Sequence, residues 1–218
     1  MIKYVLFDLY GTLTDPKEGI TKCVQYALKS LGIEPPHADE LLDFIGPPLE
    51  ESFIRRFDMS KEQAGLALKK YRERFSIVGM FENKVYGGIH EMLETLKASG
   101  LTLAVASLKP LVFVEKILEK FSLKDYFSAI AGSDLEGTKH TKKQIIDDVF
   151  ATLSPESLSE VIMVGDRYQD IEGAKEAGIL SLGVRYGYAE KGELENAGAD
   201  YIANSPIEIT EIILKERN

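Results

Sequence analysis

The chain lacks most of what anchors a protein outside the cytosol or onto a polyanion. Its 218 residues include one cysteine, Cys23, so no internal disulfide can form. The three histidines are scattered, which gives no zinc-site spacing. No apolar run reaches membrane length, and the N-terminus enters a strand-like segment without a signal-peptide pattern, which predicts a cytoplasmic protein. Positive charge is in deficit as well. A net charge of -9 argues against a broad basic face, so neither nucleic acid nor membrane is expected as a partner. No internal repeat or low-complexity segment interrupts the pattern. With 44% hydrophobic and 28% charged residues, the chain suits a folded protein with one substantial core and a smaller satellite domain. Cys23, in "GITKCVQYALKSLG", sits where the buried face of a helix falls and reads as a packing residue.

Strand-type apolar runs recur at "YVLFDL", "LTLAVAS", "AIAGS", "VIMVGD" and "LSLGVRYG", with helical spacing between most of them, as in "GIHEMLETLKASG" and "VFVEKILEKF". That alternation predicts an α/β fold with a parallel sheet wrapped by helices, and nearly continuous apolar runs mean both sheet faces are covered. The polar residues gather where each run ends, which is the binding edge of such sheets. Over 16–81 the pattern turns purely helical: "GITKCVQYALKSLG", "DELLDFIG", "PLEESFIRRF" and "KEQAGLALKKYRERFSIVG". This predicts a helical insert in a core made of 1–15 and 82–218, attached next to the first strand end as a lid would be.

Each strand end offers a candidate: Asp8 after the first run, Ser107 after "LAVA", Asp166 and Asp170 in "VGDRYQD", and Lys142 at the helix start in "GTKHTKKQIIDDV". Taken singly, such acids are often caps or turn formers. Gathered at one sheet edge, three carboxylates repel one another unless a cation sits among them, and oxygen ligands without thiol or imidazole favour magnesium. The loop "YGTLTD" adds backbone amides and the Thr12 hydroxyl, Ser107 a second hydroxyl and Lys142 a positive charge, the groups needed to hold a phosphoryl group. Asp8 is then free to attack phosphorus in line. The remaining basic residues of "KHTKK" read as a solvated loop. Lys142 is chosen over Lys139 and Lys143 by its spacing before "QIIDDVF".

In order and spacing, "FDLYGTLTD", "VASLKP", Lys142 and "VGDRYQD" closely resemble the four motifs of the haloacid dehalogenase superfamily of hydrolases. "TDPKEGI", "FIGPPLEESF", "FENKVYGG" and "GAKEAGI" resemble its phosphoglycolate phosphatase and 5'-nucleotidase branch. The resemblance implies a Rossmann-like three-layer core with a small helix-bundle cap of the C1 type. It further implies a Mg2+-dependent phosphatase acting on a small phosphorylated substrate through an aspartyl-phosphate on Asp8, as a monomer or dimer. Asp8, Asp166 and the carbonyl oxygen of Tyr10 would bind the metal, with Asp170 close by. Gly11, Thr12, Ser107, Lys109 and Lys142 would hold the phosphate, and cap residues such as Arg55 the rest of the substrate. "YGYAEKGELENAGADYIANS" is assigned to structure, as the last strand and the return to the sheet edge.

One mark departs from the pattern. The superfamily's phosphatases carry a second aspartate two residues after the nucleophile, to protonate the leaving alcohol and activate water; here Tyr10 stands there. Dehalogenases of the superfamily carry tyrosine at this place, yet they replace the acids that "GDRYQD" keeps. A second reading is a phosphatase frame without its acid/base, since a phenol of pKa about 10 is a poor base near neutrality and losing a positioned acid/base costs roughly a hundredfold to ten-thousandfold. A third is an ordinary phosphatase altered at this one residue. A non-catalytic, phosphate-binding protein is the remaining class.

Overall fold

The computed structural model describes residues 1–135, 138 and 141–216; Lys139 lies outside them. The chain divides into two compact units, Met1–Asp15 with Val85–Asn218, and Pro16–Lys84. The first begins with β1 (Tyr4–Phe7) and β2 (Thr14–Asp15). The second contains α1 (Lys17–Ser30), α2 (Leu49–Phe57) and α3 (Lys61–Phe75), and β3 (Lys84–Val85) spans the return. The first unit resumes with α4 (Ile89–Ala98), β4 (Thr102–Pro110), α5 (Leu111–Lys120), β5 (Ala129–Ser133), α6 (Lys142–Leu153) and β6 (Val161–Gly165). It ends with α7 (Tyr168–Ala177), β7 (Leu180–Val184), α8 (Glu193–Ala197), β8 (Tyr201–Ala203) and α9 (Pro206–Glu216).

Val5, Leu6 and Phe7 of β1 are all buried, so both faces of that strand are covered and it belongs inside a sheet. It lies there. Six strands run in the order β5-β4-β1-β6-β7-β8, and every neighbouring pair is parallel. Successive connections lead to opposite sides of β1, which makes its carboxyl end the switch point where such sheets open a crevice. The register fixes what meets in that crevice. Phe7 stands opposite both Val105 of β4 and Val164 of β6, so Asp8, Ser107 and Asp166 follow at one edge. Beneath them Leu6, Ala104 and Met163 pack against Ile145, Ile146 and Val149 of α6 and Ala174 of α7. Each buried Leu, Ile, Val or Met side chain among them contributes about 1.5–3 kcal/mol, and together they fix the helices that carry the other site residues.

The helical unit has its own core, with Phe44 edge-on to Phe53 at 5.0 Å and Tyr71 stacked on Phe75 at 5.3 Å. Cys23 is buried in it, 3.3 Å from Arg74 Nη1. "DELLDFIG" forms a 3-10 helix over Ala38–Phe44 in place of the expected α-helix. Prolines stand before it and at Pro47 and Pro48 after it, and short helical pieces used as connectors commonly take this tighter winding. The unit also runs to Lys84 rather than to Phe81. Glu82 accounts for this: its carboxylate pairs with Arg74 of α3 and Lys22 of α1, and its carbonyl accepts from Gly19 N–H.

Candidate active site

The chain turns sharply as it leaves β1. Leu13 and Thr14 N–H both donate to Leu9 O at 2.9 Å, and Gly11 N–H donates to Thr14 O at 2.8 Å. Gly11 has φ +81°, and a Cβ there would stand 1.9 Å from Asp166 Oδ2, so glycine alone fits this turn. The turn thus brings the loop backbone onto the Asp166 carboxylate. Thr12 is fully buried, and its hydroxyl has no hydrogen-bond partner among the described residues.

Lys142 arrives from the other side of the edge. Thr141 and Gln144 form a capping box, Gln144 N–H donating to Thr141 Oγ1 at 3.3 Å and Thr141 N–H to Gln144 Oε1 at 3.1 Å. This sets Lys142 in the first turn of α6, only 4% exposed. Its ammonium donates to Asp8 Oδ1 at 2.8 Å and to Ala106 O at 2.9 Å, and lies 2.6 Å from Asp170 Oδ1. The other Asp170 oxygen accepts from Arg167 N–H at 3.1 Å at the start of α7. Burial opposes a charge on Lys142, but the two carboxylates reverse that and hold its pKa above the ordinary lysine range.

Asp8, Asp166 and Asp170 are all buried, with one oxygen of each inside a 4.8 Å cluster. Among the described residues, three carboxylates stand against one ammonium, which leaves uncompensated negative charge in a dry place. Burial, with Asp170 and Asp8 as neighbours, pushes the Asp166 carboxyl well above the usual range. Asp170 is raised by burial and Asp8 even though Lys142 pulls it down. Asp166 Oδ2 accepts Tyr188 N–H at 2.8 Å, whereas Oδ1 is buried with no hydrogen-bond partner among the described residues. An all-oxygen cluster with excess negative charge and an orphaned oxygen fits a small, hard divalent cation.

Ser107 is buried at the β4 end, where the pairing with β5 becomes irregular between Ser107 and Pro110, and its Oγ accepts Lys109 N–H at 3.4 Å. The Lys109 ammonium stands 4.2 Å from the centre of the Tyr10 ring, within cation–π range. Tyr10 therefore offers its ring to a cation in the loop that follows β1. Arg55 is exposed on α2 of the helical unit. Asp8, Asp166, Asp170 and Lys142 thus form one contact cluster, with Gly11 against Asp166; Ser107, Lys109 and Tyr10 form a second group at the same strand edge.

The segment assigned to structure alone has to be corrected at its start. Residues 186–188 touch the site: Tyr188 N–H binds Asp166, the Tyr188 hydroxyl donates to Asp15, and the Tyr186 hydroxyl donates to Thr12 O at 2.8 Å. A Cβ on Gly187 would come within 2.4 Å of both Asp166 Cβ and Gly11 O. The signal lay in its place, since an aromatic-glycine-aromatic triplet following a strand run falls at the binding edge.

Fold and site together define a doubly wound α/β protein with an acid–lysine cluster at the switch point of its sheet. The family model for haloacid dehalogenase-like hydrolases matches residues 5–184. The chain belongs to that family. It is 44% identical over 192 residues to a 5'-nucleotidase of Pseudomonas aeruginosa, covering 87% of this chain and 86% of that protein. It is 33% identical over 202 residues to the tyrosine-protein kinase PtkA of Mycobacterium tuberculosis, covering 92% of this chain and 68% of that one. Among solved structures, a predicted phosphatase from Clostridium acetobutylicum superposes with a TM-score of 0.92 at 46% identity over 99% of each chain.

Proposed function

We propose that the chain is a magnesium-dependent phosphatase that hydrolyses a small phosphomonoester through a phosphoryl group carried on Asp8. The observation that carries this reading is the buried Lys142 ammonium bridging Asp8 and Asp170 at the sheet's switch point. Asp8, Asp166 through Oδ1, Asp170 and the Tyr10 carbonyl would hold Mg2+, which would neutralise charge on the phosphate and the acids. An Asp8 oxygen attacks phosphorus as the bond to the leaving oxygen breaks, and the departing alkoxide takes a proton from solvent. Water then attacks phosphorus, its proton passing to solvent, as the bond between phosphorus and the Asp8 oxygen breaks, which releases inorganic phosphate and regenerates the Asp8 carboxylate. Gly11 and Thr12 of the loop, with Ser107, Lys109 and Lys142, hold the phosphate oxygens. Likeness to a protein named 5'-nucleotidase supports a nucleotide above a phosphoglycolate-like substrate. The helical unit serves as the cap, with Arg55 as a substrate contact, and a capped chain needs no second copy. Among the described residues no helix is long and apolar enough to cross a membrane, in keeping with action on a dissolved metabolite in the cytoplasm.

Tyr10 leaves the reaction without a carboxyl acid/base, so turnover is slow and phosphorylated Asp8 persists. The non-catalytic, phosphate-binding reading rests on the same residue. Asp166 and Asp170, both built into the cluster, disfavour a dehalogenase. The test is phosphate release from p-nitrophenyl phosphate and 5'-nucleotides, with Mg2+ and with chelator. Tyr10→Asp raises turnover by about a hundredfold or more, and Tyr10→Phe leaves it unchanged because the hydroxyl moves no proton. Absence of turnover from both the parent chain and Tyr10→Asp would remove the phosphatase reading and leave the phosphate-binding one.

A further inference from the structure

The segment that sequence reasoning passed over makes three separate contacts with the two halves of the site. Tyr186 donates its hydroxyl to Thr12 O, and its ring meets the ring of Tyr86 edge-on at 5.0 Å. Gly187 lies flat against Asp166 and the Gly11 carbonyl, too close for any side chain. Tyr188 uses both ends: its backbone N–H holds Asp166 Oδ2 at 2.8 Å, and its hydroxyl donates to Asp15 at the close of the nucleophile loop.

Asp166 has two oxygens of equal chemistry, so something must decide which one faces Asp8 and Asp170. Tyr188 N–H occupies Oδ2, and Oδ1 is the oxygen left without a partner among the described residues. A backbone N–H aims only as well as its residue is held, and Tyr188 is held through its hydroxyl, which donates to Asp15 and also meets the Tyr86 hydroxyl. Loop 8–15 and Asp166, already in contact at Gly11, are thereby tied a second time through Tyr188.

We infer that Tyr188 is a positioning residue for the cation site, fixing Asp166 with Oδ1 toward the cluster by anchoring its own hydroxyl on Asp15. This rests on the cation site proposed above. Partners of metal ligands typically change metal affinity by about 10–100-fold when lost, and Tyr188→Phe removes the anchor while keeping the ring and the N–H. The lower end of that range is therefore expected.

The test is Mn2+ binding to the whole chain, followed by the electron paramagnetic resonance signal of the free ion, with Mg2+ as competitor and a thermal melt of each variant. Tyr188→Phe and Asp15→Ala should each weaken Mn2+ binding about tenfold. The double variant should be no weaker than either single one, because both remove the same link. Asp15→Asn, which keeps an accepting oxygen, should restore most of the affinity. The melting midpoint in chelator should fall by no more than about 2–4 °C, as for one hydrogen bond. Unchanged Mn2+ affinity in Tyr188→Phe overturns the inference, with or without a fall in midpoint, and so do losses that multiply in the double variant. A parent chain that binds no Mn2+ overturns the cation site itself and this inference with it.

Discussion

Replacing Lys142 by methionine removes an ammonium buried among three carboxylates while nearly preserving the shape of the side chain. Its charge lies 2.8 Å from Asp8 Oδ1 and 2.6 Å from Asp170 Oδ1. At an effective dielectric constant of about 20 each of those attractions amounts to roughly 6 kcal/mol. Most of this is offset by the cost of keeping the ammonium dry, and removing one partner of a buried pair typically costs a net of about 3–5 kcal/mol. For a chain of this size that corresponds to a fall in melting midpoint of roughly 6–20 °C in chelator at neutral pH. The dependence on pH has a definite sign. Without Lys142 the folded state raises the Asp170 carboxyl further, beside an Asp166 already raised by burial, so it binds protons more tightly than the unfolded chain. A group raised in this way stabilises the fold at low pH and loses that contribution as pH rises through its folded value. The gap between Lys142→Met and the parent should therefore narrow as pH falls from 7 toward the ordinary carboxylate range of about 4. Calorimetry on both proteins across that interval reads it directly. A midpoint lowered by less than about 2 °C, or a gap that widens toward acid, would refute the reasoning.

Two other perturbations test separate parts of the molecule. Gly11→Ala places a Cβ against the Asp166 carboxylate in a backbone of φ +81°, so phosphatase activity should be lost, and the melting midpoint should fall by several degrees at about 1–3 kcal/mol of backbone strain. Wild-type activity in that variant would show that the loop adjusts without cost. In the helical unit the Arg74 guanidinium holds the Glu82 carboxyl below its usual range. The pair therefore stabilises above the unfolded pKa, and that contribution is lost as pH falls through the lower folded one. Glu82→Gln should be less stable than the parent by on the order of 1 kcal/mol at pH 7, with the difference shrinking in urea titrations as pH falls below the ordinary carboxylate range of about 4; a difference that stays constant with pH would rule the charge out.

Much of the architecture was legible because apolar runs buried on both faces leave a short menu of folds, and because the acids sit where those runs stop. Lys142 was legible for a local reason, its spacing before "QIIDDVF", and it is the first residue of α6. What escaped was set by distant partners. Tyr188 meets Asp166 across 22 positions and Tyr186 meets Thr12 across 174, and no local spacing announces either contact. The pairing of Lys109 with the Tyr10 ring is of the same kind: both residues were named from their motifs, but only the irregular end of β4 beside β1 brings them together. The 3-10 winding of Ala38–Phe44 escaped because its apolar spacing is helical and does not distinguish the two windings over 7 residues.

The hydrogen bond from Tyr86 N–H to Leu13 O, 3.2 Å long, lies within the α/β unit yet spans the place where the helical insert interrupts it. The two cut ends are thus already neighbours before any insert is added. Closing a connection between such ends depends only weakly on its length, about 0.6 kcal/mol for each doubling. The joint is in effect a graft site: inserts of different length and recognition surface can be exchanged there over evolutionary time while the acid–lysine cluster stays as it is.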